Sequence, residues 1–151
     1  MQSQSIEKTL QNIKRGITEP CSYTEQLTVD AINEFQNDPS ILKPYLKQFI
    51  SAINKSFVDA IDNNTMKNMP LALFRIQGEY FYNLAKICST KITNKYLSTD
   101  ISYLDPILKL LPEIKRDSGI QFFLLSWCQI IIQAPFNLTN DSEIWQLTNS
   151  Y

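Results

Sequence analysis

The sequence predicts an all-α protein of about five helices joined by short links, and three observations carry that expectation. Glycine occurs only three times in 151 residues, at Gly16, Gly78 and Gly119, so hairpin turns and phosphate-cradling loops lack the residue they depend on. Apolar residues recur at steps of three and four, most plainly Leu42, Tyr45, Leu46, Phe49, Ile50, Ile53, Phe57 and Ile61, which places them on one helical stripe. Between such runs fall Pro20, Asp38-Pro39, Asp62-Asn63-Asn64-Thr65, Asp105-Pro106 and Pro135, residues at which helices stop or restart.

Residues 1–21 form a polar segment. Ile6, Leu10, Ile13 and Ile17 have helical spacing, but few other apolar residues support them, which leaves a frayed helix and a disordered stretch both open. Ser22 and Glu25 have the spacing of a capping box, and the first full helix is expected from about Tyr23 to Asn37, with Leu27, Ala31, Ile32 and Phe35 inward. Asp38-Pro39 restarts the chain, since an aspartate can cap a helix and proline is tolerated where no N–H is needed. Pro44 is expected to start the regular part of the second helix, after a lead-in turn over 40–43.

A third helix is expected from Pro70 to about Ser89, with Leu73, Phe74, Gln77, Phe81, Leu84 and Cys88 on one side. Gly78 inside it costs about 1 kcal/mol relative to alanine, as a point of close helix contact or as a tolerated residue. A short helical connector over 91–98, a helix around 104–114 and a last helix over 119–133 follow. The last is apolar nearly all round through Phe122, Phe123, Leu124, Leu125, Trp127, Ile130, Ile131 and Ile132, as helices are that sit between other helices. The chain thus divides into the segment 1–21, a helical region 22–138, and the start of a further, incomplete element over 139–151 carrying Ile144, Trp145 and Leu147. Periodicity alone does not separate a bundle from stacked helix pairs; the unfinished last element tips the reading towards a solenoid.

Composition narrows the function. Fourteen basic residues against fifteen acidic ones leave a net charge of −1, which argues against a nucleic-acid partner. Ile120–Ile132 is interrupted by Gln121, Ser126 and Gln129 and is shorter than the roughly 20 residues of a membrane span; no signal-peptide core is present either, so a cytoplasmic protein is expected. Histidine is absent, which removes the usual general base and the commonest metal ligand. Neither a P-loop nor a dinucleotide fingerprint occurs. Cys21, Cys88 and Cys128 fit neither a disulfide framework nor a zinc site and read as reduced, with Cys88 and Cys128 in the core.

The carboxylate pairs Asp30/Glu34 and Asp59/Asp62 read as solvated helix faces, as do Lys43 and Lys47. The aromatic groups Tyr80, Phe81, Tyr82 and Phe122, Phe123, Trp127 read as core, with one of Tyr80 and Tyr82 left exposed for a partner. No catalytic, cofactor-binding or metal-binding residue is assigned, and no enzyme is expected.

One set of phrases has a further parallel. Ile41-Leu42-Lys43-Pro44-Tyr45-Leu46, Tyr82-Asn83-Leu84-Ala85-Lys86-Ile87, Lys91, Leu104-Asp105-Pro106-Ile107-Leu108, Leu124-Leu125-Ser126-Trp127 and Pro135-Phe136-Asn137-Leu138 resemble, in order and spacing, the N-terminal region of the tubulin-folding cofactor D family. The resemblance spans roughly 27–138. It departs from the family at Ser118 and Gln121-Phe122, where relatives carry Trp and Arg-Tyr, and at Ser89, where they carry glycine. It implies HEAT- or armadillo-like helical repeats in a far longer cytoplasmic scaffold. Such a scaffold captures beta-tubulin after chaperonin release, joins it to alpha-tubulin with other tubulin-folding cofactors, and contributes to GTPase activation of tubulin and microtubule biogenesis, with the microtubule cytoskeleton as a second location. A stand-alone helical adaptor unrelated to tubulin is the alternative reading.

Overall fold

The computed structural model describes residues 2–65, 71–114 and 117–134. Among them are seven α-helices and no strand: α1 (Gln2–Thr18), α2 (Ser22–Asn33), α3 (Pro39–Asp62), α4 (Leu71–Cys88), α5 (Thr90–Asn94), α6 (Leu104–Leu110) and α7 (Ser118–Gln133), with 3-10 turns at Ile101–Tyr103 and Leu111–Ile114. The count exceeds the expected five because the N-terminal segment is helical and the expected helical connector forms a helix of its own, α5. In α1, Leu10, Ile13 and Ile17 are buried in the shared core, so that part of the segment is helical and packed. The expected element over 139–151, the helix start at Pro70 and the phrase at 135–138 lie outside the described residues.

Local sequence accounts for most boundaries. Pro39 opens α3 at its first turn, where its missing N–H costs nothing. The helix runs on without a break through Pro44, contrary to the expected lead-in turn, and absorbs the one backbone hydrogen bond that this proline cannot donate. Asp117 caps α7 by accepting the Ile120 N–H at 3.3 Å. The capping box at Ser22 does not form: Cys21 occupies the cap position, Ser22 is already helical, and Glu25 is drawn away to another helix. Leu27 is 70% exposed rather than inward, since the inward arc of α2 is filled by Thr28, Ala31 and Ile32.

The helices form three stacked units, two of them helix pairs. In the first, Thr9 Oγ1 donates to Glu34 at 3.3 Å and Gly16 lies on Thr28, so α1 and α2 run antiparallel. In the second, Ser56 bonds Gln77 and Phe57 stacks on Phe74 with ring centroids 4.7 Å apart, so α3 and α4 are antiparallel too. The third consists of the short helices α5 and α6 followed by α7, which α6 touches. The second members α2, α4 and α7 then lie side by side and parallel. Glu25 meets Arg75 and Asn33 meets Asn83, and further along Gly78 meets Gly119 while Phe81 meets Phe123 at 5.0 Å. This is the arrangement of a helical-repeat stack, in which each unit covers its neighbour.

Phe57 is the hub of the core, with Phe74, Phe123 and Trp127 around it at centroid distances of 4.7, 4.7 and 6.4 Å. The irregular stretch after α5 is tied in by one residue: the Ser98 N–H donates to Asn54 Oδ1 and the Ser98 carbonyl accepts from Trp127 Nε1, each at 2.8 Å. Fully buried Trp127 thereby satisfies its indole N–H.

Candidate functional site

On the outer side of the parallel layer, α4 exposes or half-exposes Leu71, Arg75, Glu79, Tyr82 and Lys86, a stripe at steps of four, four, three and four. Of the two tyrosines left open by the sequence, Tyr80 is fully buried and Tyr82 is 43% exposed. Tyr82 stands edge-on to half-buried Phe122 of α7, at 5.6 Å and 86°, so an aromatic pair bridges the seam between the second and third units. Phe81, Phe123 and Trp127 are core.

Arg75 makes a two-pronged pair with Glu25, Nη1 to Oε2 at 3.1 Å and Nη2 to Oε1 at 2.8 Å. These hydrogen bonds hold the guanidinium above its ordinary pKa. Glu79 is pushed up, first by desolvation and then by the charges of Asp117 and Glu25. Below this charged knot a cleft of about 530 Å³ opens between the start of α4 and the start of α7, with Leu71, Ala72, Pro112, Ile114 and Ile120 among its walls. Sequence reading missed the pair because its partners are fifty positions apart.

Leu125 and Ile132 of α7 are 52% and 69% exposed, two turns apart on the side away from α4. The expectation that α7 has neighbours all round therefore fails on this flank among the described residues. The helix carries no charged residue.

The carboxylate pairs come apart as chemistry. Asp30 accepts from Gln26 at 2.8 Å, Glu34 from Thr9, Asp59 pairs with Lys55 at 3.4 Å, and Asp62 accepts from the Tyr103 hydroxyl at 3.1 Å. Among the described residues no three of Cys, Asp and Glu converge as a metal ion would need. Cys88 and Cys128 are buried and burial pushes both thiols up, whereas exposed Cys21 is lowered by its hydrogen bond with Thr24. No helix among the described residues is long and apolar enough to cross a membrane.

A family model described as tubulin-specific chaperone D-like, ARM repeat, matches residues 32–147. The chain belongs to that family. The match starts near the end of α2 and takes in α3 to α7. No curated protein and no solved structure matches the chain. Within this tubulin-specific chaperone D-like repeat, the phrases that carried the resemblance supply packing residues, Leu84 and Ala85 in α4, Ile107 in α6, and Leu124 and Trp127 in α7 all being buried, together with the exposed Tyr82, Leu108 and Leu125. Ser89, where the resemblance puts glycine, has φ 86° and ψ 143°, a backbone region that side chains rarely adopt.

Proposed function

We propose that this chain is part of a cytoplasmic scaffold that holds beta-tubulin during post-chaperonin folding and assembly of the tubulin heterodimer. The single observation that carries the reading is the family match over 32–147. Its physical support is the stack of helix pairs, which presents a continuous outer layer of the kind repeat proteins offer to folded partners. On this reading the scaffold does no chemistry of its own. Its contribution to GTP hydrolysis is leverage on tubulin, which carries the nucleotide, in company with other tubulin-folding cofactors.

The direct test is capture of beta-tubulin released from chaperonin by the immobilised chain. Retention that is lost when Tyr82→Ala and Phe122→Ala are combined supports a client surface on the parallel layer. No retention of beta-tubulin by a chain shown to be folded overturns the reading and leaves a helical adaptor for another protein.

A further inference from the structure

A second surface lies on the other layer. On α3, Lys43, Lys47, Ser51 and Lys55 are exposed and follow one another at four-residue steps. Sequence reading left Lys43 and Lys47 as a solvated face. In the structure Lys47, Ser51 and Lys55 of that face form one wall of a groove of about 510 Å³, whose opposite wall is the chain after α5, bringing Lys95 across from Lys47 and Lys55. Three lysines and no carboxylate line it, on a chain whose net charge is −1. Among the described residues Lys47 and Lys95 have no ion-pair partner, and Lys55 has only the exposed Asp59, a contact of little strength in water.

The floor adds an independent sign of a ligand. Asn54, 5% exposed, belongs to the groove lining. Its Oδ1 is taken by the Ser98 N–H, while its Nδ2 is buried with no acceptor, a condition that folded proteins seldom leave uncompensated. Val58 and Leu97 supply apolar wall beside it.

We propose that this groove binds an extended, carboxylate-rich segment of a protein partner, its carboxylates on Lys47, Lys55 and Lys95 and an oxygen acceptor above Asn54. Eight residues of helix put Lys47 and Lys55 about 12 Å apart. Alternate side chains of an extended peptide repeat at about 6.6 Å, so three carboxylates in alternate positions span the groove. A nucleic-acid strand fits poorly, because Asp59 and Asp62 follow on the same helix and would face its unbroken row of phosphates. The inference needs a protein client but not tubulin, so it can fail while the tubulin reading stands, and the reverse.

The experiment is fluorescence anisotropy of a labelled Glu-Gly-Glu-Gly-Glu-Gly-Glu peptide titrated with the whole chain at low salt. Saturable binding is expected, weakened at least tenfold by Lys47→Glu with Lys95→Glu and by an intermediate factor when both become Ala. Lys8→Glu with Lys14→Glu, which makes the same charge change on exposed positions of α1, should leave it unchanged. Absence of saturable binding, an equal loss in both glutamate pairs, or tighter binding of a single-stranded oligonucleotide of equal length overturns the proposal.

Discussion

Gly78 of α4 and Gly119 of α7 lie back to back where the two helices cross, so close that a methyl group on Gly78 would land inside the backbone of Ile120. Of the two roles open to this residue from sequence, close contact is the one it has.

Gly78→Ala is therefore expected to destabilise the chain by about 2 kcal/mol, the cost of overpacking outweighing the gain in helix propensity. Gly119→Ala should cost less, because its added Cβ would meet the Glu79 N at 3.1 Å, a distance that a small shift relieves. Urea melts of the two variants measure the order; a more stable Gly78→Ala chain would contradict the close crossing.

Ser89→Gly is expected to stabilise the chain by about 1 kcal/mol. The strained φ costs of the order of 1–3 kcal/mol in a non-glycine residue, and the hydrogen bond lost, from the Ile92 N–H to Ser89 Oγ at 3.4 Å, is weak, a glycine cap costing only about a few tenths of a kcal/mol. A lower melting temperature for Ser89→Gly would show that the cap outweighs the strain.

Trp127→Ala should cost about 3–5 kcal/mol, since it empties the centre of the aromatic cluster and leaves the Ser98 carbonyl without its donor. Near-UV circular dichroism, which reports packed aromatics, should lose intensity together with the melting temperature. An unchanged melt would place the indole outside the core.

Glu79 gives the chain a pH dependence of stated sign. Its folded pKa lies above the ordinary 4.5, so the folded state binds the extra proton and stability falls as pH rises from 4.5 through the folded value. Glu79→Gln should raise the melting temperature at pH 7 and change it little at pH 4. An equal effect at both pH values would mean that packing, not charge, governs the position.

What was legible in the sequence follows from the range over which each signal acts. The stripe from Leu42 to Phe57 and the all-apolar run of α7 announce their helices because periodicity is local, and Phe57, Phe123 and Trp127 are in the core as that periodicity requires. The sequence alone does not decide α1, because Leu10, Ile13 and Ile17 make too thin a stripe to hold a helix alone; they are buried by α2 and α3, which no local window reveals. Leu27 misled for the opposite reason: its spacing fits the buried stripe, but it sits at the margin of that stripe, past the last neighbour. The Arg75–Glu25 pair and the lysine groove are products of stacking, joining residues tens of positions apart, and Glu25 looked like a cap because its true partner was out of view.

The Ser98 backbone has a consequence for how the stack opens. It lies in an irregular stretch, where amide protons ordinarily exchange with solvent quickly, yet its N–H is held by α3 and its carbonyl by α7. Those helices belong to different units, so the Ser98 backbone acts as a latch between them. The Ser98 amide should exchange as slowly as the helical amides around it, and the second and third units must come apart together.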